Sequence, residues 1–250
     1  MKIGILGAGS IGATLARQLS GAGHAVKIAN SRGPESIDRQ ALASGAQAVY
    51  ADHVVEDVDV LITSIPFSVM PSIAPLVRRL PDETVLIDTS NYYPSRDGHI
   101  AAVDDGQVES MWVVQAIGRP IAKAWNAIGS ASLANKATDS DDPHRVAIPV
   151  AADRARDRET AMQLVLDTGF DAFDSGSIAD SWRHQPGSPA YSTNLTRSEL
   201  SEALDSAEKS RLPRRRDLQV ATVTERTDGF TRMVPNMGEW LAQLNRAIYM

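Results

Sequence analysis

Short apolar runs alternate with longer amphipathic stretches along most of the chain, the pattern of buried strands joined by helical crossovers. Ile3, Ile5 and Leu6 predict a first strand, with a glycine-rich turn and a helix directly after it, and Ala25 to Ala29 predict a second strand. Pro34 to Ser44 reads as a helix with Pro34 in its first turn, Ala46 to Tyr50 as a third strand, and His53 to Asp57 as a helix-length acidic connection. Val58 to Ser64 predicts a fourth, fully buried strand, followed by a loop and a short helix ending at Arg78-Arg79. Val85 to Asp88 is a fifth strand, Glu109 to Ala116 a helix and Ile121 to Trp125 a sixth strand. Arg145 to Val150, Arg154 to Asp167 and Phe170 to Phe173 continue as strand, helix, strand. From Gly176 the pattern changes to polar loops and short helices, among them Arg197 to Ser210 and Gly238 to Ile248. The expected fold is α/β: a Rossmann-like, doubly wound, mostly parallel sheet over residues 1–176, with a smaller loop and helix region at 177–250.

The turn after the first strand is Gly7-Ala8-Gly9-Ser10-Ile11-Gly12. Gly7 permits a tight turn, Gly9 lets a pyrophosphate approach the backbone, and Gly12 lets the following helix pack closely on the strand. The helix N-terminus then offers free N–H groups and a positive dipole end to phosphates. The second strand runs into Asn30-Ser31-Arg32. An NAD site usually ends that strand in a carboxylate that binds the ribose 2′-hydroxyl; here a hydroxyl and a guanidinium stand ready for a 2′-phosphate. The cofactor these residues predict is therefore NADP(H), although Arg32 as a solvated surface charge is the plainer alternative.

Composition narrows the function. With 250 residues and a net charge of −6, the chain has no overall basic character, so neither nucleic acid nor an anionic membrane is expected as a partner. There are no cysteines, which removes disulfides, thiolate nucleophiles and Cys-ligated metals. His24, His53, His99 and His144 lack the spacing of a helical metal pair, and no metal site is expected. Val60 to Val77 carries no charge, but Pro66, Pro71 and Pro75 argue against a membrane span. A cytoplasmic protein is expected.

Two further junctions fall at the carboxyl ends of predicted strands, where open α/β sheets hold their ligands. Ser64-Ile65-Pro66-Phe67 follows the fourth strand and Asn91 lies just past the fifth, both suited to the ribose and nicotinamide side or to ordinary turns. Asn126 is a hydrogen-bonding candidate or a turn residue, and His184 a weak candidate acid or base or a structural group. Trp182 is suited to stacking on an acceptor ring or to the core. Arg211 to Arg216 reads as a solvated basic loop, or as a grip on an acceptor's phosphate.

At Lys123-Ala124-Trp125-Asn126, Asp174 to Ala179 and Ser181-Trp182, the chain resembles the NADP oxidoreductases dependent on the deazaflavin coenzyme F-420. It also resembles the related oxidoreductase domain of the STEAP ferric reductases, and the likeness covers about residues 1 to 185. Trp182 to Tyr191 is similar to a bacterial subgroup described as NADPH-dependent coenzyme F-420 reductases. The resemblance implies hydride exchange between the nicotinamide and a second planar ring. It puts the pyrophosphate on Gly7, Ala8, Gly9, Ser10, Ile11 and Gly12, and the 2′-phosphate on Ser31 and Arg32 beside Asn30. Ser64 to Phe67 and Asn91 take the nicotinamide half, and Ala124, Trp125 and Asn126 border nicotinamide and acceptor, with Trp182 and Tyr191 on the substrate side. Trp125 replaces the family's usual Phe, and the tail after Tyr191 is longer than in the short archaeal enzymes.

Hydride transfer between stacked rings needs positioning more than a protein acid, because the cofactors carry the chemistry. No Tyr-x-x-x-Lys pair occurs among the five tyrosines. The expected function is NADP(H)-dependent transfer of hydride to a flavin-like or deazaflavin acceptor. Reduction of a small imine or carbonyl, with His184 or Tyr191 as proton donor, is the alternative enzyme, and an NADP(H)-sensing module without turnover the alternative outside enzymes. A homodimer is expected, with the apolar stripe Trp240, Leu241, Leu244 and Ile248 as core or contact surface.

Overall fold

The computed structural model describes residues 1–229, 231, 234 and 236–250. Among these residues eight strands, β1 (Lys2–Leu6), β2 (Ala25–Ala29), β3 (Gln47–Ala48), β4 (Val60–Thr63), β5 (Val85–Asp88), β6 (Ala122–Lys123), β7 (Ala147–Ala152) and β8 (Asp171–Asp174), form one sheet in the order β3-β2-β1-β4-β5-β6-β7-β8. Pairing is parallel except between β6 and β7, where Ala122 faces Ala152 and Lys123 faces Ala151 in antiparallel register. This is the doubly wound, Rossmann-like arrangement, and its strand order reverses between β1 and β4.

Among the described residues ten helices connect and cover the sheet: α1 (Ser10–Gly21), α2 (Ala74–Val77), α3 (Pro94–Asp97), α4 (Ala101–Asp104), α5 (Glu109–Ile117), α6 (Ser130–Asn135), α7 (Ala155–Asp167), α8 (Arg197–Asp205), α9 (Leu212–Arg226) and α10 (Met237–Tyr249). Ile3, Ile5, Leu15, Leu19, Ile62, Ile87, Trp125 and Leu164 belong to the core on one face, where α1 and α7 pack. Leu61, Leu86, Phe67, Tyr92 and Val113 fill the other face beneath α5. The central strands are buried on both sides, which is why they read as unbroken apolar runs.

Several expected elements differ. Residues 34–44 form no α-helix but two 3-10 turns, Pro34–Ser36 and Arg39–Leu42, with Ile37 extended between them. The Asp38 side chain accepts a hydrogen bond from the Gln40 amide, so it starts a new turn where a helix would have continued. The third strand shrinks to Gln47–Ala48, and the acidic connection is a 3-10 turn, Ala51–His53, followed by turns. The sixth strand stops at Lys123 because Trp125 adopts a left-handed conformation with φ 55°. The helix begun at Arg197 ends at Asp205, and the supposed basic loop at 211–216 opens α9, with Pro213 in its first turn.

The tail packs back on the sheet edge. The Ser192 amide donates to the Ala127 carbonyl at 2.8 Å and the Ala147 amide to the Leu195 carbonyl at 2.8 Å, while Val146 bridges Thr196. The apolar stripe of α10 is half-buried, with Ile248 packed against Tyr191 and Tyr249. No described helix is long and apolar enough to cross a membrane.

One buried charge pair shapes the exits of two strands. Lys123 Nζ donates to Asp88 Oδ2 at 2.6 Å and also to the Ser90 carbonyl, and both side chains are 1% exposed. Asp88 accepts further from the Ser90 amide and hydroxyl, each at 3.0 Å, and from the Thr63 hydroxyl at 3.3 Å. β4, β5 and β6 are thereby joined where their carboxyl ends leave the sheet. Lys123→Met strands the carboxylate without its cation and is expected to cost about 3–5 kcal/mol in urea unfolding at neutral pH. A loss under about 1 kcal/mol would mean that the hydroxyl and amide donors suffice alone.

Candidate functional site

A cleft of about 440 Å³ opens over the carboxyl ends of β1, β4, β5 and β6. Gly9, Ser10 and Ile11 form one edge, Ser64, Ile65 and Pro66 the next, and Thr89, Ser90 and Asn91 a third. The glycine turn follows from local sterics. Gly7 sits at φ 113°, and a Cβ on it would lie 2.0 Å from the Ser64 carbonyl oxygen. A Cβ on Gly12 would lie 2.0 Å from the Gly7 carbonyl oxygen. Gly9 is different: its Cβ would meet nothing within 4 Å. Two glycines are demanded by the fold, and the third keeps space open in front of the α1 N-terminus. Since α1 has no side-chain N-cap, its first N–H groups face that space.

At the end of β2, Ser31 and Arg32 are exposed, and neither side chain takes a hydrogen bond or ion pair among the described residues. Asn30 is spent locally: its oxygen accepts from the Arg32 amide at 2.9 Å and its nitrogen donates to Ser36 at 2.8 Å. It shapes the turn that presents Ser31 and Arg32. Ala8 is half-buried and outside the cleft lining. Phe67 and Ala124 are fully buried, with Phe67 stacked on Trp112 at 4.6 Å, so neither side chain reaches a ligand in the cleft.

The aromatic assignments change more. Trp125 is 1% exposed and its indole donates to Thr168 Oγ1 at 3.3 Å, which anchors the ring in the core while the residue still borders the cleft. Trp182 is half-buried outside the cleft, with Arg183 over its ring at 4.7 Å. Tyr191 does line the cleft, and its hydroxyl accepts from Tyr93 at 2.9 Å. Burial pushes the Tyr191 phenol up to about 12, so it stays protonated.

His184 is not a candidate acid. It is fully buried, with Nδ1 3.0 Å from Asn126 Oδ1 and Nε2 3.2 Å from Ser175 Oγ. An amide oxygen only accepts, so Nδ1 carries the proton and Nε2 accepts from Ser175. Burial, helped by the Lys123 charge, pulls the imidazole down to about 3 and keeps it neutral. Its effect is to orient Asn126, whose nitrogen then donates to Asn91 Oδ1 at 3.1 Å while Asn91 donates to the Asn126 carbonyl at 2.9 Å. Asn91 and Asn126 are thus brought together on the cleft wall as a locked pair.

The tail supplies residues that the sequence did not single out, Ser192, Gln219 from α9 and Asn245 from α10, together with Leu241 of the apolar stripe. Asn245 donates to the carbonyls of Tyr191 and Ser192 at 3.4 and 3.2 Å, and Arg246 to those of Thr193 and Asn194 at 2.8 and 3.0 Å. Nothing in a helix's polar face marks one glutamine as inward-facing. Tyr93 was within reach of sequence reasoning, lying two residues past Asn91.

These observations are matched by known proteins. Residues 2–92 fit the family described as NADP oxidoreductase, coenzyme F420-dependent. The protein YjhV of Escherichia coli strain K12 is 42% identical over 73 residues, 28% of this chain, and the aligned stretch spans only 53% of that relative. A hypothetical protein of Sinorhizobium meliloti, SMa0349, superposes with a TM-score of 0.65 and 27% identity over 78% of this chain and 95% of its own. An Arthrobacter protein named as a candidate F420-dependent NADP reductase gives 0.58 and 20% identity, covering 72% and 87%. A Mycobacterium tuberculosis 3-hydroxyisobutyrate dehydrogenase gives 0.53 and 21%, covering 71% and 55%, a likeness of fold.

The glycine geometry separates binding from folding. Gly9→Ala is expected to leave the thermal midpoint within about 2 °C of wild type while weakening NADPH at least about tenfold. Gly12→Ala instead lowers the midpoint, and calorimetry with an NADPH titration on both variants checks the contrast.

A second titratable group lies under this wall. Glu109 is buried and accepts from the Tyr92 amide at 3.1 Å; burial pushes its carboxyl up to about 7, against the pull of Lys123. Because the folded-state value is raised, its contribution to stability is fully present below about 4.5 and falls as pH rises towards 7. Glu109→Gln keeps an acceptor for Tyr92 without the charge. Its stability relative to wild type is expected to climb between pH 4.5 and 7, read by urea unfolding across that range.

Proposed function

We propose that this chain is an NADP(H)-dependent oxidoreductase that passes hydride between NADPH and a flavin-like or deazaflavin acceptor. The observation that carries this reading is the open space in front of Gly9, continuous with a cleft edged by the carboxyl ends of four parallel strands. The residues present fit the cofactor. The turn from Gly7 to Gly12 and the α1 N-terminus would hold the pyrophosphate, Ser31 and Arg32 the 2′-phosphate, and Ser64 to Pro66 with Asn91 the nicotinamide half. Bound there, the cofactor supplies a hydride, so that NADPH, acceptor and one proton become NADP⁺ and reduced acceptor. The chain's own part is to hold two rings together and exclude water. The locked Asn91–Asn126 pair and the neutral His184 behind it suit that work, being uncharged and held in place. The family match over residues 2–92 supports the cofactor, and the name of that family supports the deazaflavin.

Reduction of a small carbonyl or imine is favoured by one feature, the protonated Tyr191 hydroxyl in the cleft. Both readings meet in one experiment: NADPH oxidation followed at its own absorbance against coenzyme F-420, FMN, FAD, ferric chelates, imines and carbonyls, with NADH in parallel. The expected result is NADPH-selective turnover with the deazaflavin or a flavin. Binding of NADPH with no acceptor reduced would leave a nucleotide-sensing module. Arg32→Ala is expected to raise the KM for NADPH by about 10- to 100-fold, leaving that for NADH unchanged. Equal effects on both would remove Arg32 from the 2′-phosphate.

A further inference from the structure

The wall of the cleft contributed by the tail has free polar capacity that the fold does not use. Gln219 is 7% exposed, lines the cleft from α9, and its side-chain amide takes no hydrogen bond from any described residue. Its amide atoms are not sealed off from the cleft, so they are open to a ligand bound there. Tyr191 faces the same cleft; its oxygen accepts from Tyr93 and pairs with the neighbouring Ser192 hydroxyl, so its O–H is what remains to meet a ligand. Asn245 and Leu241 of α10 line the cleft with them. Asn245 is occupied with the Tyr191 and Ser192 carbonyls, and so fixes the backbone that carries the phenol.

The charges around this wall are already neutralised. Among the described residues Arg96 is the one cation of the lining, and it is held by Asp97 at 2.7 Å and by the Asn91 carbonyl at 2.6 Å, with its guanidinium over the Tyr93 ring. No carboxylate among the described residues lines the cleft. The free groups are therefore one hydroxyl donor and one amide that both donates and accepts, in an uncharged setting. Their complement is a planar edge carrying carbonyl acceptors beside an N–H donor. A carboxylate, a phosphate or an ammonium would find no counter-charge there.

We propose that Tyr191 and Gln219 form the specificity edge of the cleft and read an amide or imide, O=C–N–H, on the hydride acceptor. The inference rests on the oxidoreductase reading above and adds to it the class of acceptor and the residues that select it. Selection then belongs to the tail, outside the segment that matches the nucleotide-binding family.

The test uses riboflavin, whose pyrimidinedione carries this edge, and 3-methylriboflavin, in which a methyl group replaces the imide hydrogen. Binding to the full chain with NADP⁺ present is read by quenching of flavin fluorescence. Wild type is expected to hold riboflavin at least about tenfold tighter than the methylated probe, the worth of one lost hydrogen bond. Gln219→Leu and Tyr191→Phe are each expected to weaken riboflavin and shrink the gap to within about threefold, with NADPH affinity unchanged. Gln219→Leu breaks no bond within the described protein, so it tests the idea even if the tyrosine variant disturbs the fold. Equal binding of the two probes by wild type, a gap that survives both variants, or no binding of either probe overturns the inference. A Gln219→Leu variant that loses NADPH in place of riboflavin also overturns it, since the amide then serves the nicotinamide carboxamide. In each of these cases the oxidoreductase reading stands if NADPH is still oxidised by any acceptor, and falls separately if NADPH does not bind.

Discussion

The interaction on which the cleft depends is the buried pair of Lys123 and Asp88. Two charges taken out of water are stable only with good geometry and extra hydrogen bonds, and here the extra bonds all go to Ser90 and Thr63. The pair therefore does more than join two strands. It fixes the path of the chain through Ser90, and with it Asn91, Tyr92 and Tyr93, three consecutive residues with three separate duties. Asn91 faces the ligand side, Tyr92 fills the core, and Tyr93 meets the tail. Burial sets the protonation states of Glu109 and His184 under the cleft, and the same ammonium adds to the shift of His184 while opposing that of Glu109.

Above that base the cleft is composite. Its nucleotide side comes from the first hundred residues, and its opposite side from residues near 126, 191, 219 and 245. The reversal of direction at β7 is the topological cause, because the chain must return along the sheet edge and cross the cleft to end. A parallel continuation would have carried the tail onward, away from the glycine turn. Two side chains of α10 fasten it to main-chain carbonyls, the buried Asn245 and the exposed Arg246.

Much of this was legible in the sequence, for definable reasons. The strand, glycine turn, helix and second strand are local and governed by sterics, and β2 and β5 have the bounds that their apolar runs imply. The segment from Pro34 misled because its composition suits a helix while Asp38 offers the backbone a competing partner. Trp125 misled because its neighbours resemble a site motif, whereas its left-handed backbone swings the ring into the core. His184 looked reactive as a histidine in a Pro-Gly-rich stretch, and only its three-dimensional partners show that it is neutral. Gln219 and Asn245 were beyond reach, because the inward face of a tail helix is decided by what it packs on.

The clamp between α10 and the rim is made of side chains gripping backbone: Asn245 and Arg246 bind the carbonyls of residues 191–194. A carbonyl is the same whatever residue carries it. The grip therefore does not depend on which side chains this stretch of rim carries, although Ser192 and Asn194, each at φ 52°, favour residues that accept a left-handed backbone. The frame is thus separated from the surface it presents, and a replacement at Tyr191 would alter the edge of the cleft while leaving both the clamp and the glycine turn as they are.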